Sequence, residues 1–396
     1  MYESNNYQQT EEGGVRRRKS GGRGATIVMC LLLVAIIAVI LITVYKKKTT
    51  FNTWEVVKTT NNISDARVLQ TDKGFVLYNH DGAEGHSADG TVLWNISYDM
   101  NNPIADACGD YAAFADNGAQ EARVTDGTGA NYVVTVSEPI KEISVAAQGV
   151  TAIRTDAGTA DHIYIYNISG EQLLDIKTEV KKSGFAIAMD LSEDGTKLVT
   201  SYTKVGDVQE SWLTFYNFGN VGQNYSDKIV GSYSFNSGMI PYVQFTDNSH
   251  VVVADDSKCI IYKFREVPEE IKRIEGHLST VSSNAEAVTL AFDSGNGLKK
   301  IASYSIEGEP ITSVETGVKY NIITTYKNEL IVAMDSAFVI FRKNGNEKIR
   351  TGYDEQIELI FTSSINECYT IVGKTQTKVI RLKAKSEQNQ GLEASD

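Results

Sequence analysis

The 396-residue chain has few of the residues that cross-linking and metal chemistry need: four cysteines, five histidines and three tryptophans. Cys30 lies in an apolar run, while Cys108, Cys259 and Cys368 are an odd number in strand-like contexts. Their spacing matches no zinc motif. We therefore expect these three to be small buried hydrophobic residues, without a disulfide framework or a metal site.

Helical periodicity is almost absent beyond residue 50, and the whole chain has only five prolines. Short apolar runs with β-branched and aromatic residues recur instead about every ten residues. Examples are Gly74–Tyr78, His250–Ala254 and Ala337–Phe341, with glycine or Asp/Asn turns between such runs. This pattern predicts an all-β fold.

One apolar run interrupts this pattern. Residues 25–45 contain no charged side chain, and as a helix they would span roughly 31 Å, which matches a bilayer core of about 30 Å. Three lysines follow the run where a cleaved signal peptide would have small residues. The sequence therefore predicts an uncleaved transmembrane helix at 25–45.

Charge on either side of the run predicts an orientation. Five Lys or Arg residues precede it and three follow it, which favours a cytoplasmic N-terminus and an extracytoplasmic domain on the cell membrane. The opposite orientation stays open as an alternative. Beyond residue 48 the chain has 30 basic and 47 acidic residues, a net charge of −17, which excludes nucleic acid as an expected partner.

Glycine turns repeat along the apolar runs. Gly90, Gly127, Gly170, Gly308 and Gly345 each stand between two strand-like segments, where a tight hairpin needs a positive φ. The spacing is 37 positions from Gly90 to Gly127, 43 from Gly127 to Gly170 and 37 from Gly308 to Gly345. A period of about 40 residues with four strands per unit is typical of β-propeller blades.

Dividing the chain by this period gives eight units, beginning near residues 63, 103, 140, 185, 239, 280, 318 and 356. The eighth unit has three strands of its own, so we expect residues 54–59 to complete it and close the ring. Eight four-stranded blades are preferred. Seven are the alternative, because the third strand of the first unit, around residues 85–88, is weak. A β-solenoid is disfavoured because its repeats are shorter.

The expected domain organisation follows from these segments. Residues 1–24 are predicted to be a disordered cytoplasmic tail and 25–45 the membrane helix. Residues 46–52 are then a short linker, 53–383 the β-propeller and 384–396 a second disordered tail.

Four stretches carry a resemblance to known sequences. Residues 87–94 (SADGTVLW) resemble the blade motif of quinoprotein-like propellers, in which a tryptophan docks between blades. Residues 100–111, 191–202 and 215–223, in that order behind an N-terminal apolar segment, resemble an uncharacterised family of membrane-anchored propeller proteins from Gram-positive bacteria. The likeness spans about residues 25–383, and it implies architecture and location but no activity.

Two groups of side chains are candidate metal ligands. His80, Asp81 and His86 are spaced H-D-x4-H, and Asp190 lies close to Glu193 and Asp194. The first group is interpreted as a turn-rich hairpin with incidental histidines. The second lacks the regular oxygen spacing of a calcium loop and is interpreted as a β-turn.

No other pattern points to chemistry. His162, His250 and His277 form no recognisable motif. Quinone-cofactor dehydrogenases share the propeller but are tryptophan-rich, whereas this chain has only Trp54, Trp94 and Trp212. Sequons begin at Asn62, Asn95, Asn167 and Asn224, and they are uninformative in so Asn-rich a chain. We therefore assign no catalytic, cofactor-binding or metal residue and expect no cofactor.

The leading functional hypothesis is a non-enzymatic protein-interaction or scaffold module of the cell envelope, anchored by residues 25–45, with envelope proteins as partners and oligomeric state open. Of its twenty tyrosines, most are expected to pack between blades. The alternative is an extracytoplasmic sensor or enzyme that binds a glycan or a small molecule in the channel. Convergent acidic groups in the channel would favour the alternative, and apolar filling would favour the scaffold.

Overall fold

A computed structural model describes residues 27–37, 50–71, 73–206, 209–235, 238–293, 295 and 297–384. The chain divides into two compact units, Met1–Thr49 and Thr50–Asp396. In the first unit, residues 27–37 form a helix. The predicted tail at 1–24 lies outside the described residues, as does the tail predicted at 384–396 except for Ala384, which ends the last strand.

The membrane helix predicted at 25–45 is described only over residues 27–37, a length of roughly 16 Å, against about 30 Å for a bilayer core. Among the described ranges, no helix is both long and apolar enough to cross a membrane. The predicted cell-membrane location is therefore wrong, and so is its topology of a cytoplasmic N-terminus and an extracytoplasmic propeller. Membrane association through residues 25–45 is not shown by the described residues.

The second unit contains, in its described residues, 32 strands in eight four-stranded sheets, which we number as blades 1 to 8. Blade 1 contains β2 (Arg67–Thr71), β3 (Gly74–Tyr78), β4 (Gly82–Ser87) and β5 (Val92–Ser97), and blade 2 contains β6 (Pro103–Cys108), β7 (Tyr111–Asp116), β8 (Glu121–Thr125) and β9 (Asn131–Thr135). Blade 3 contains β10 (Ile140–Val145), β11 (Thr151–Asp156), β12 (Ala160–Tyr166) and β13 (Gln172–Glu179), and blade 4 contains β14 (Phe185–Leu191), β15 (Lys197–Lys204), β16 (Glu210–Asn217) and β17 (Ile229–Phe235).

Blade 5 contains β18 (Tyr242–Phe245), β19 (His250–Ala254), β20 (Lys258–Phe264) and β21 (Pro268–Glu275), and blade 6 contains β22 (Leu278–Ser283), β23 (Ala287–Asp293), β24 (Lys299–Ser305) and β25 (Pro310–Thr316). Blade 7 contains β26 (Ile322–Tyr326), β27 (Glu329–Met334), β28 (Ala337–Phe341) and β29 (Glu347–Gly352), and blade 8 contains β30 (Ile357–Thr362), β31 (Cys368–Gly373), β32 (Gln376–Ala384) and β1 (Phe51–Asn61). A helical turn at Val180–Ser183 joins blades 3 and 4, and 3₁₀ turns at Gly222–Asn224 and Ser226–Lys228 precede β17. Eight blades are thus confirmed over seven.

The ring closes as predicted, through the N-terminal strand. β1 pairs antiparallel with β32, with Trp54 opposite Leu382. The Trp54 indole Nε1 donates a hydrogen bond to the carbonyl of Gly352 in blade 7 at 3.4 Å, and its ring lies 5.8 Å from that of Tyr353. The first and last strands of the propeller therefore share one sheet, so neither of them ends the ring as an unpaired strand.

Hydrophobic cores fill the space between neighbouring blades. In one of them, Trp94 of blade 1 packs beside Tyr98 and against Phe114 of blade 2. This is the inter-blade position that the 87–94 motif implied. Tyr202, Tyr216 and Tyr262 are likewise buried, as expected for the tyrosines.

The repeated glycine turns join the third and fourth strands of their blades. Gly90, Gly170, Gly308 and Gly345 have φ between 73° and 82°. In blade 2, however, the positive φ belongs to Gly129 (85°) and not to Gly127, because the turn is two residues later than the spacing indicated. These turns pack on the outermost strand of the preceding blade: Thr60 Oγ1 of blade 8 donates to the carbonyl of Gly90 at 2.8 Å.

Candidate functional site

The central channel of the propeller contains a cavity of about 710 Å³. Residues from the first strands of seven blades line it, because those strands stand side by side around the ring axis. Since alternate residues of a strand point to opposite faces, part of each first strand faces the channel. The channel is therefore open, and its lining is both polar and apolar.

One wall of the channel is acidic. Asp106 of β6, Glu142 of β10 and Asp190 of β14 line it from blades 2, 3 and 4. Each acid lies within an otherwise largely apolar strand, with the sequences PIADAC, IKEISV and FAIAMDL. Three consecutive blades thus supply one carboxylate each, which we call the acidic wall.

Each carboxylate of the acidic wall accepts a hydrogen bond from a backbone N–H of the next blade. The amide of Val145 donates to Asp106 Oδ2 at 2.8 Å, that of Met189 donates to Glu142 Oε1 at 3.0 Å, and that of Phe245 donates to Asp190 Oδ2 at 2.6 Å. These bonds run in the same direction around the ring. The acids therefore join blades 2 to 5 at their inner edges.

Ser144 of blade 3 adds hydrogen bonds to Asp190 and to the backbone of the following residue in blade 4. Its hydroxyl donates to Asp190 Oδ1 at 2.8 Å and accepts from the amide of Leu191 at 3.1 Å. Burial and the neighbouring Asp106 raise the pKa of Asp190 to about 8, against the lowering effect of its hydrogen-bond donors. Burial also raises the pKa of Asp106.

Glu142 has a different partner. The Arg154 Nε donates to Glu142 Oε2 at 2.8 Å, with the guanidinium supplied by the second strand of the same blade. Burial raises the pKa of Glu142, although Arg154 opposes the shift. The pair leaves Glu142 hydrogen-bonded at both of its oxygens.

Blades 5 and 6 add a network of uncharged polar side chains to the channel lining. Tyr242 and Gln244 of blade 5 meet Ser283 of blade 6 there. The hydroxyls of Tyr242 and Ser283 lie 2.8 Å apart, and Ser283 donates to Gln244 Oε1 at 2.9 Å. This network also joins two blades.

The acidic wall has two chemical readings. Carboxyl groups with raised pKa values in a cleft are candidates for acid–base or ligand-binding roles, and the convergence of three acids is what the channel-binding alternative required. Against this, all three acids hold backbone amides of the next blade, which is a structural role. Half-buried carboxylates that accept from buried backbone amides stabilise the ring because the amides would otherwise lose a partner.

The predicted histidine cluster does not converge. The ring of His80 contacts the Asp81 carboxylate at 2.8 Å in the exposed turn before β4. His86 lies five residues farther along an extended strand, roughly 16 Å away, and its ring stacks on Phe75 in the core at 4.7 Å. In the described residues no group of three potential metal-ligating side chains comes together.

The second acidic group is split between a turn and the channel. The turn interpretation is confirmed for Asp194, whose Oδ1 accepts from the amide of Thr196 at 3.0 Å and from the Ser192 hydroxyl at 2.7 Å, beside Gly195 with a φ of 65°. Asp190 instead stands in β14 and belongs to the acidic wall.

The cysteines also divide. Cys259 and Cys368 are buried as expected, while Cys108 is half-buried and lines the channel. Burial raises the pKa of the Cys259 thiol to about 12, so this thiol is protonated at neutral pH.

Sequence reasoning did not find the acidic wall. The signal in the sequence was a single acidic residue within the largely apolar first strand of each of three consecutive blades, namely Asp106, Glu142 and Asp190. The acids are 36 and 48 positions apart, so nothing local showed that they share a wall.

Solved structures place the fold among known propellers. BamB from Moraxella catarrhalis is similar with a TM-score of 0.51 and 12% identity, covering 83% of this chain and 100% of that one. The Pan2 WD40 domain of Neurospora crassa gives a TM-score of 0.43 and 9% identity, covering 70% of this chain and 87% of that one. No curated protein matches the sequence.

The family comparison bears on the resemblance noted in the sequence. A model described as a family of unknown function, DUF5711, matches residues 46–382. The predicted resemblance to an uncharacterised propeller family is confirmed to that extent, and the Gram-positive origin stays a prediction. Since the match covers most of the chain and nearly the whole propeller, this protein belongs to the DUF5711 family of unknown function.

Proposed function

We propose that the propeller is a non-enzymatic protein-interaction module. The observation that supports this is a set of exposed apolar side chains on the outermost strands of blades 8, 1, 2 and 3. Their exposed fractions lie between 39% and 56%. The set, which we call the rim band, consists of Val56, Val57, Val92, Leu93, Val133 and Leu173.

Contacts between the blades bring the outer strands that contain the rim band close to one another. Lys58, next to Val57, forms an ion pair with Asp89 at 3.3 Å, in the turn just before Val92. Farther along, a Cβ at Gly129 would lie 3.3 Å from Trp94 Cβ, next to Leu93. The turn at Gly170 approaches the carbonyl of Val133 in the same way, at 3.8 Å.

The outermost strands of blades 5 and 7 differ in charge from those of blades 1 and 2. β21 of blade 5 (PEEIKRIE) has five charged residues, and β29 of blade 7 (EKIRTG) has three, whereas β5 and β9 have none. Charged side chains on outer strands discourage association, and a contiguous apolar surface marks a site of protein contact. The rim band is therefore the surface on which a protein partner fits best.

A site-specific crosslink tests the proposal. A photoreactive amino acid replaces Leu93 in the full chain, in its native cells, and a matched chain has it at Val267, which is 46% exposed in the turn between β20 and β21. We expect a covalent adduct with another protein from position 93, lost when Val133→Ser is added, and none from position 267. No adduct at 93, or equal adducts at both positions, contradicts the proposal.

A channel that binds a glycan or a small molecule is the second candidate, and the acidic wall is the observation that favours it. It predicts that calorimetry with a set of neutral oligosaccharides detects binding that Asp106→Asn abolishes and Leu93→Ser leaves unchanged. Absence of binding, or binding that is insensitive to Asp106→Asn, rules out the channel site for that class of ligand.

A further inference from the structure

Half of the rim band, Val92, Leu93 and Val133, lies in the most acidic part of the propeller. Residues 62–138, which contain blades 1 and 2, have twelve acidic and three basic side chains. Residues 318–353, which contain blade 7, have three acidic and six basic side chains. The negative charge around β5 and β9 is therefore concentrated in blades 1 and 2 and is not spread evenly over the blades.

The acids border the apolar side chains at both ends of the strands. Asp89 stands in the turn before β5, and Asp99 is exposed two residues after β5 ends. In blade 2, Asp126 stands in the turn before β9, and Glu121 is opposite Thr135 at the end of β9. Val92, Leu93 and Val133 thus lie between two rows of carboxylates.

Only part of this charge is neutralised within the chain. Lys58 pairs with Asp89 at 3.3 Å, and Arg123 pairs with Glu121 at 3.2 Å. These side chains are partly exposed, and ion pairs in water contribute little free energy, so a partner's cations can compete for the same carboxylates. An acidic partner would instead meet like charge on both sides of the band.

We infer that the partner contacts blades 1 and 2 through a segment of apolar side chains flanked by lysine or arginine. The inference rests on the proposed function and specifies the partner's chemistry. Burial of apolar surface supplies the affinity, whereas the two rows of carboxylates select the partner by charge and increase its rate of association. Binding should weaken with salt because these charges are exposed.

Fluorescence anisotropy with two labelled peptides tests the inference on the purified full chain. One twelve-residue peptide alternates valine and lysine, and the other alternates valine and glutamate. We expect the lysine peptide to bind about tenfold or more tightly than the glutamate peptide at 50 mM NaCl, and the difference to shrink at 500 mM NaCl. Leu93→Ser should weaken the lysine peptide, whereas Val267→Ser should not.

Charge reversal separates the local acids from the net charge. Asp99→Lys combined with Glu121→Lys should weaken the lysine peptide about tenfold. The matched control combines Glu269→Lys with Glu270→Lys on β21, which changes the net charge equally on a distant blade. Equal weakening by both pairs overturns the inference, as does equal binding of the two peptides.

The outcomes also distinguish the inference from the proposed function. If the lysine peptide does not prevent the adduct at position 93, the proposed function is retained, but the inference of a partner flanked by lysine or arginine is wrong. The absence of any adduct at position 93 overturns the proposed function itself. An adduct that the lysine peptide displaces, and the glutamate peptide does not, supports both.

Discussion

Asp190 combines two opposing influences on a single carboxyl group. Its oxygens accept hydrogen bonds from Ser144, Leu191 and Phe245, which favour the ionised form. Burial and Asp106 outweigh these donors and raise the pKa to about 8. The carboxyl group therefore titrates in the range in which most proteins are studied.

The raised pKa predicts a pH-dependent stability. An aspartate in an unfolded chain has a pKa of about 4, so between about pH 4 and 8 the folded state binds more protons than the unfolded state. The contribution of Asp190 to the free energy of unfolding therefore falls as the pH rises through this window. Asp190→Asn should remove this fall, so the free energy of unfolding of the variant minus that of the wild type should increase from pH 5 to 8 in urea titrations at fixed ionic strength.

Asp89→Asn is the matched control with the opposite sign. The Ser87 hydroxyl, together with Thr91, holds the pKa of Asp89 below its usual range. Its stabilising contribution is present above about pH 4 and is lost at lower pH, so the loss caused by Asp89→Asn should be constant from pH 5 to 8. If the Asp190→Asn difference were also constant, the assigned pKa would be wrong.

At the scale of the element, β4 shows why the first blade looked weak in the sequence. Its central residue is Gly85, where a methyl group would overlap the indole of Trp94 on β5. A strand with a glycine at its centre has little propensity of its own, but the glycine leaves room for the tryptophan that fills the core between blades 1 and 2. The weak signal therefore reflects packing.

Gly85→Ala is expected to destabilise the propeller by about 1–3 kcal/mol, because the methyl group displaces a buried indole. Urea denaturation followed by circular dichroism measures the change. Gly352→Ala in β29 is the control, since a Cβ there would have Ser336 O as its neighbour at 3.9 Å, an ordinary contact. Similar losses at both positions would show that strand glycines, and not the tryptophan, account for the effect.

The glycine turns act between elements. Gly308 and Gly158 have nearly the same φ, 82° and 78°, but only Gly308 packs closely on a neighbouring blade, where its Cβ would lie 2.6 Å from Lys272 Cβ. Each alanine substitution has a backbone cost of roughly 1–2 kcal/mol for a positive φ. Gly308→Ala should lower the melting temperature more than Gly158→Ala does, because its methyl group also pushes blades 5 and 6 apart. Equal decreases in thermal denaturation would argue against this contact.

At the scale of the whole molecule, stability depends on closure of the ring by β1 and β32. Glu55 and Arg381 are exposed partners in this pair, 3.7 Å apart as an ion pair. Replacing both with cysteine and oxidising them would close a loop of more than 300 residues. A loop of about 100 residues already gives roughly 4.7 kcal/mol in the chain-entropy treatment, and Glu55 and Arg381 lie directly opposite each other.

We expect this disulfide to raise the melting temperature more than a control disulfide at Lys300 and Glu315, which are also exposed partners but close a short loop within blade 6. Calorimetry of oxidised and reduced forms measures both. A larger gain from the control would indicate that unfolding does not begin at the β1–β32 seam.

Much of the architecture could be predicted from the sequence because each blade is a local repeat. Glycine turns and apolar runs recur within about 40 residues, and the missing strand of the last unit pointed to residues 54–59. The predicted beginning of the eighth unit near residue 356 is one position from Ile357, where β30 starts. The membrane prediction is contradicted, because the described helix covers residues 27–37 and no helix among the described residues is long and apolar enough to span a bilayer.

The sequence by itself determined the four-stranded repeat and the closing strand and favoured eight blades over seven, since these follow from patterns that are short and contiguous. Only the tertiary structure decided that Asp106, Glu142 and Asp190 share one wall, and that Leu93 and Val133 are exposed on neighbouring blades. Residues that are tens of positions apart become neighbours through the ring, and their burial depends on the adjacent blade. The sequence pattern predicts where the strands are, but it does not show which strand faces pack against each other.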